Sequence, residues 1–358
     1  MNICFVLPQV SRQPSGGYKI VFEYANRFIQ KGHEVSIVFK NDNAYKKFHL
    51  PEFIRLILTY YMTEREPRWF ELENKIKKIS STDKNLAKKL GTVDVCIATA
   101  AITVDFAKTI KSKKHAYFIQ GYENWNLPEE YLVETYKSGM KNIVVAEWLK
   151  NKVSSYCQGN VSVVRNPIDI KQYKPLIPNE RRKVHSIGLL YHTAEKKGLT
   201  YAFQALYALK ERYTDLTVDM FGVFDPPKIL PEWINYTKNA STEETVKIYN
   251  RVSVFLCATV EEGYGLTGLE AMACGAALVS SNYQGVREYA IDGYNSLLAP
   301  IKDSKALAER VSCVFDNSLL RTKIVKNGVD SVREYSWENA TDTFLSILRK
   351  TVDNKSYV

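Results

Sequence analysis

Glu262-Gly263-Tyr264-Gly265-Leu266-Thr267-Gly268-Leu269-Glu270-Ala271-Met272-Ala273-Cys274-Gly275 sets two glutamates with seven residues between them, and glycines ahead of an apolar stretch. It follows Val252-Ser253-Val254-Phe255-Leu256-Cys257, a run of β-branched, aromatic and apolar residues that reads as a buried strand. Gly263 and Gly265 permit backbone turns that a Cβ would forbid, and an amphipathic helix opens at about Leu266. Glu262 then stands at the carboxyl end of a strand, and Glu270 about one turn into the next helix. The first amides of a helix have no internal acceptor, so they form a natural seat for a phosphate. A carboxylate on either side can accept hydrogen bonds from hydroxyls. A nucleotide sugar has that layout: sugar, diphosphate, ribose.

The stretch resembles the Glu-x7-Glu signature of the retaining, group 1 glycosyltransferases of the GT-B fold. Two glutamates at this spacing alone also describe an ordinary surface helix with solvated acids. Gly-Tyr-Gly-Leu inside the interval and Glu-Ala-Met-Ala-Cys-Gly behind it make the likeness specific. The resemblance implies an α/β protein of two Rossmann-like domains facing a central cleft. It also implies transfer of a sugar from a nucleotide-sugar donor with retention of anomeric configuration. By the same resemblance Glu270 accepts from the ribose hydroxyls and Glu262 contacts the transferred sugar, while Gly265 and the amides of Leu266 and Thr267 hold the phosphates.

The chain has 358 residues, which suits two domains, and its 45% hydrophobic and 25% charged content describes a globular protein. A formal charge of +10 points to an anionic partner. No nucleic-acid-binding pattern accompanies it, which leaves an anionic membrane surface, where each nearby Lys or Arg contributes about 1 kcal/mol. Cys4, Cys96, Cys157, Cys257, Cys274 and Cys313 show no metal-ligand spacing and read as reduced, buried thiols of a cytoplasmic protein. The amino terminus runs straight into a strand without the pattern of a secretion signal. No run of about 18 apolar residues could span a bilayer.

Strand-like and helix-like segments alternate, the pattern of parallel sheets with covered faces. In the first half, strands are expected at residues 3–7, 34–39, 93–98, 116–120, 142–145 and 162–165, with a helix from Tyr18 to Lys31 ended by Gly32. In the second half they are expected at 186–190, 216–221, 252–257, 277–280 and 296–299. Arg165-Asn166-Pro167-Ile168-Asp169 and the prolines that follow read as a linker. The expected division is therefore an acceptor-binding domain over 1–168, a donor-binding domain over 169–335, and a last helix over 336–358. Tyr335-Ser336-Trp337-Glu338 resembles the family's start of that helix, which crosses back to the first domain.

Lys196-Lys197-Gly198 resembles the family's Lys-Gly, whose lysine reaches the donor diphosphate; Lys197 directly precedes the glycine. A solvated lysine at a helix start is the plain alternative. Many relatives carry an arginine a few residues earlier, where this chain has Tyr191 and His192. His192 is therefore a candidate donor-binding group, beside its reading as a structural histidine. Ser15-Gly16-Gly17 resembles the family's glycine-rich loop, with Gly16 and Gly17 near the donor phosphate. The family's first-domain histidine is absent, and Gln120, Tyr122 and Glu123 are the acceptor-side candidates. Phe118-Ile119-Gln120-Gly121-Tyr122-Glu123-Asn124-Trp125 contains a segment similar to one in some rhamnan and S-layer-glycan transferases, a tilt toward a deoxyhexose donor such as dTDP-rhamnose; a UDP-hexose is the other candidate. No Asp-x-Asp appears, so no metal and no cofactor are expected.

Phe53-Ile54-Arg55-Leu56-Ile57-Leu58-Thr59-Tyr60-Tyr61-Met62, with Lys46, Lys47, Arg65 and Arg68 around it, reads either as an interfacial segment or as a core helix. The expected partners are thus a nucleotide sugar, a glycan or lipid-linked glycan, and an anionic inner membrane face, with no nucleic acid. A non-catalytic subunit of the same architecture stays open, as does a nucleotide-sugar epimerase or a phosphorylase.

Overall fold

Runs of Val, Ile, Phe and Cys too apolar to face water on either side recur along the chain, and each becomes a strand of a parallel sheet covered by helices. The computed structural model describes residues 1–123, 127–157, 159 and 161–353. The chain divides into one unit of Met1–Arg165 with Glu338–Val358, and a second of Asn166–Trp337.

The first unit begins β1 (Asn2–Leu7), α1 (Gly16–Gln30), β2 (Glu34–Phe39), α2 (Glu52–Arg65), β3 (Lys77–Ser80), α3 (Leu86–Leu90) and β4 (Val93–Ala98). It continues α4 (Val104–Thr109), β5 (Ser112–Ile119), α5 (Glu129–Tyr136), β6 (Lys141–Val144), α6 (Glu147–Ser154) and β7 (Ser162–Val163). The strands form a parallel seven-stranded sheet in the order β3-β2-β1-β4-β5-β6-β7. The second unit holds β8 (Lys183–Tyr191), α7 (Leu199–Arg212), β9 (Thr217–Gly222), β10 (Ile234–Lys238), α8 (Thr242–Arg251) and β11 (Val252–Cys257). Then come α9 (Leu266–Ala273), β12 (Ala277–Ser281), β13 (Ser296–Ala299), α10 (Ser304–Asp316) and α11 (Ser318–Ser331). Its six-stranded parallel sheet runs β10-β9-β8-β11-β12-β13. Both are Rossmann-like.

The last helix, α12 (Trp337–Asp353), joins the first unit through Phe344, whose ring meets Tyr24 at 4.9 Å and Phe118 at 5.0 Å between centroids. Lys31 reaches Asp342 at 2.8 Å from the other side. Helix α1 starts at Gly16, two residues before the expected start, so both glycines fall within its first turn rather than in a loop. Neither glycine has a positive φ. The stretch that reads as a linker is pinned to the second unit. Asn250 accepts from the Leu176 amide at 2.6 Å and donates to the Lys174 carbonyl at 3.2 Å. The cysteines are all free, but Cys313 is exposed, because it lies on the solvent side of α10 rather than in a strand. Among the described residues no helix is long and apolar enough to cross a membrane.

Arg182 explains how the linker, α8 and α9 are held to one sheet. Buried to 5% exposure, its guanidinium donates to the carbonyls of Ile177, Tyr249, Val252 and Cys274 at 2.6–3.1 Å. Burial lowers its pKa to about 10, so it stays charged at neutral pH. Arg182→Leu leaves those carbonyls without a donor and should lower stability by about 2–4 kcal/mol, read as an earlier urea midpoint. A midpoint equal to that of the parent protein would refute this role.

Candidate active site

In the second unit the chain leaves β8 for β9 and β10 on one side, and β11 continues to β12 and β13 on the other. The carboxyl ends of β8 and β11 therefore form a topological switch point, where α/β sheets receive ligands. Two loops meet there. After β8, the 3-10 turn Glu195–Lys197 ends at Gly198, whose φ is +66° and whose added Cβ would lie 1.9 Å from the Ala258 carbonyl oxygen. After β11, the amides of Val260 and Glu261 donate to the Lys196 carbonyl at 2.8 and 3.3 Å. That stitching brings Lys197 Nζ to 2.6 Å from Glu262 Oε1, with both side chains largely enclosed. Glu262 lies in the loop, beyond the last residue of β11 and ahead of α9.

Gly265 turns the chain into α9 with φ +91°. A Cβ there would fall 1.9 Å from Tyr283 Oη. The amides of Leu266 and Thr267 have no acceptor among the described residues and open the helix, as the sequence reading required. Glu270, on that helix, accepts from Tyr249 Oη at 3.1 Å. Burial first, and the charge of Glu270 second, hold the phenols of Tyr249 and Tyr173 well above their usual pKa, so both remain donors beside the carboxylate.

His192 lies half-buried beside this group, its ring edge-on to Phe224 at 4.8 Å. Its Nδ1 accepts from the Ala194 amide at 3.0 Å, which leaves the proton on Nε2. Burial first and the Lys197 charge second lower its pKa below 6.5, so at pH 7 it is a neutral donor and not a second cation.

Residues 181–317 match the family model for glycosyl transferases group 1. An uncharacterised glycosyltransferase of Methanocaldococcus jannaschii is 31% identical over 207 residues, 55% of this chain and 56% of its own length. The match to the group 1 glycosyl transferases lies within the second unit. The chain spans about half the length of the curated relatives it matches. Two solved structures share the fold across the chain. Sucrose-phosphate synthase from Thermosynechococcus elongatus has a TM-score of 0.74 at 14% identity, over 97% of this chain and 98% of its own. HepE of Anabaena, solved with UDP and glucose, has a TM-score of 0.73 at 13% identity, over 97% and 99%. The architecture is that of the GT-B proteins.

Several residues of this site carry no local signal in the sequence. Tyr249 lies in the last turn of α8 and Tyr173 in the linker, and no spacing ties either to Glu270. Tyr289 donates to the Gly265 carbonyl at 2.6 Å, and with Tyr283 forms the buried floor under the turn. Gly285 has backbone atoms of Glu262 and Tyr264 at 2.6 and 2.7 Å from where its Cβ would sit, so only glycine fits.

In the first unit, Gln120 packs on Gly17, its amide 3.5 Å from the position of an added Cβ. Tyr122 and Glu123 are already engaged. Tyr122 donates to Glu129 at 2.8 Å, with Lys152 over its ring at 4.8 Å. Both oxygens of Glu123 accept from the Ala101 amide at 3.2 Å. These contacts tie Tyr122 to α5 and Glu123 to the turn after β4. Asn124 and Trp125 lie outside the described residues. Among the described residues no cluster of His, Cys, Asp and Glu could hold a metal ion.

The neutral state of His192 is open to NMR. Its imidazole should titrate below 6.5 with the proton on Nε2, and Lys197→Met should raise that midpoint. A midpoint above the ordinary imidazole value would contradict the assignment.

Proposed function

We propose that this chain is a retaining glycosyltransferase that moves a sugar from a nucleotide-sugar donor to a glycan or lipid-linked glycan. The observation that carries the reading is the Lys197–Glu262 contact at 2.6 Å beside the open amides of Leu266 and Thr267. As the bond from the anomeric carbon to phosphate breaks, the leaving diphosphate gathers charge, and a fixed ammonium and helix amides offset it without reorganising. Glu262 accepts from the transferred sugar and Glu270 from the ribose. In a front-face displacement the new bond to the acceptor oxygen forms on the side from which phosphate departs. The acceptor proton passes to the departing phosphate oxygen, so no protein base is needed. On this reading Lys197 and the amides meet the diphosphate charge without a metal.

HepE, which shares the fold, holds UDP-glucose in its solved complex, so UDP-hexoses are the first donors to try. The likeness of residues 118–123 to deoxyhexose transferases places dTDP-rhamnose next. The charge of +10 and the exposed rings of α2 support work at the anionic inner face of a membrane, from the cytoplasmic side. A non-catalytic subunit is the second reading. It is favoured by the neutrality of His192, which supplies no positive charge beside Lys197.

Purified protein incubated with UDP-, dTDP- and GDP-sugars should release nucleotide diphosphate from one donor only. A charged hydrogen bond contributes about 1.5–3 kcal/mol, so Glu270→Ala should weaken nucleotide binding by roughly ten- to hundredfold. Tyr249→Phe, which only loosens the carboxylate, should weaken it about three- to tenfold. Glu262→Gln should lower turnover more than binding. No release from any donor, with membrane-extracted lipid acceptors present, would overturn the transferase reading in favour of the subunit.

A further inference from the structure

Helix α2 is inverted for a helix packed on a sheet. It buries Thr59, Met62 and Thr63, with Thr63 held by Asn41 Nδ2 at 3.0 Å, while Phe53, Ile57, Tyr60 and Tyr61 stay 52–65% exposed. Those four side chains stand four, three and one residue apart, so they fall within one arc of about 100° on the helix. At the carboxyl end of that face lies a cavity of about 450 Å³, within the size range of small-molecule sites. Its cationic lining comes from three separate places: Arg12 in the loop after β1, Arg65 at the end of α2, and Arg68 just beyond.

The charges in this cavity are unbalanced. Glu66 is the one carboxylate lining it, and that group already accepts from the Arg68 amide at 3.0 Å and faces the Arg68 guanidinium at 3.7 Å. Arg12 donates to Tyr45 Oη at 2.9 Å, and Arg65 stacks 5.5 Å from the Tyr61 ring. Neither Arg12 nor Arg65 has a carboxylate partner among the described residues. A guanidinium held by a neutral ring or hydroxyl keeps its remaining donors for a phosphate, which it can meet bidentately. The cavity opens at the carboxyl ends of β1 and β2, the edge on which parallel sheets take ligands.

We infer that this cavity binds the phosphate or diphosphate head of a lipid, whose chain lies along Phe53, Ile57 and Tyr60. Tyr61 belongs to both parts, lining the cavity and extending the apolar face. A soluble phosphate would leave that face bare, and a plain membrane surface needs no cavity. Only an amphiphile with a phosphate head uses both. The inference rests on the transferase reading for the ligand's role, which is that of the acceptor; binding itself does not.

Calorimetry with farnesyl diphosphate, inorganic pyrophosphate and farnesol tests it, with UDP present throughout to occupy the second unit. Farnesyl diphosphate should bind at least about tenfold tighter than either other probe. Arg12→Gln with Arg65→Gln should weaken it by about tenfold or more, in protein whose melting temperature is unchanged. Ile57→Ser with Tyr60→Ser, both on the exposed face, should weaken farnesyl diphosphate while leaving pyrophosphate as before. Equal affinity for pyrophosphate and farnesyl diphosphate would overturn the lipid, leaving an anion site only. Insensitivity to both double variants would overturn the cavity. Nucleotide diphosphate release is read separately, so binding without release would uphold this site and refute the transferase reading.

Discussion

The site of the second unit depends on close backbone packing that brings Lys197 to Glu262 across 65 residues of sequence. The value of that contact to stability is small, since a partly solvated ion pair contributes about 0–1 kcal/mol. What it does is hold a cation and an anion in place before any ligand arrives. That placement requires Gly198, because a Cβ would strike the Ala258 carbonyl, and it requires the Lys196 carbonyl to receive two amides from the neighbouring loop. The glutamate side is fixed by the same logic. Gly285 allows the backbone at Glu262 to pass, and Tyr283 and Tyr289 close the floor under Gly265. Close backbone packing, rather than the ion pair, supplies the rigidity.

Much of this architecture was legible in the sequence, for a physical reason. Strands β2, β4, β11 and β13 fall at the residues expected of them, because each is rich in apolar residues and largely buried, with at most two polar residues in it. The edge strands β3 and β10 were not expected. Lys77-Lys78-Ile79-Ser80 and Ile234-Asn235-Tyr236-Thr237-Lys238 are polar, as edge strands are, and only pairing to β2 and β9 makes them strands. Glu262, Glu270 and Lys197 could be singled out because their spacing is local. Tyr249 and Tyr173 could not, since their link to Glu270 exists only after folding. The two readings of residues 53–62 could not be separated by periodicity, which reports an apolar face but not which way it points. The structure turns that face outward.

The same turn gives meaning to the net charge. A chain of +10 could spread its excess over the whole surface, yet in the first unit Arg12 and Arg65 are set against tyrosines instead of acids. Arginine is suited to this because its guanidinium remains charged and planar while stacked on a ring. Placing such groups beside exposed Phe53 and Ile57 is unfavourable for solubility, since contiguous apolar surface invites association. The arrangement makes chemical sense only if something covers the rings and neutralises the guanidinia together.

How the second unit could meet a donor diphosphate, on the proposed reading, is a question of magnitudes. The start of an α-helix acts as roughly half a positive charge, and anions there gain about 0.3–1 kcal/mol when exposed and up to about 2 when enclosed. A charged hydrogen bond from Lys197 contributes about 1.5–3 kcal/mol. A neutral His192 adds an ordinary donor, about 0.5–1.5 kcal/mol. Lys197 is therefore the largest single term, the α9 amides the second and His192 the third. Because Lys197 rests against Glu262 in the free protein, an arriving phosphate must share the ammonium with a carboxylate that already holds it. On the proposed transferase reading, the cation is then engaged most strongly when the leaving group carries its full charge, which is where transition-state stabilisation is needed.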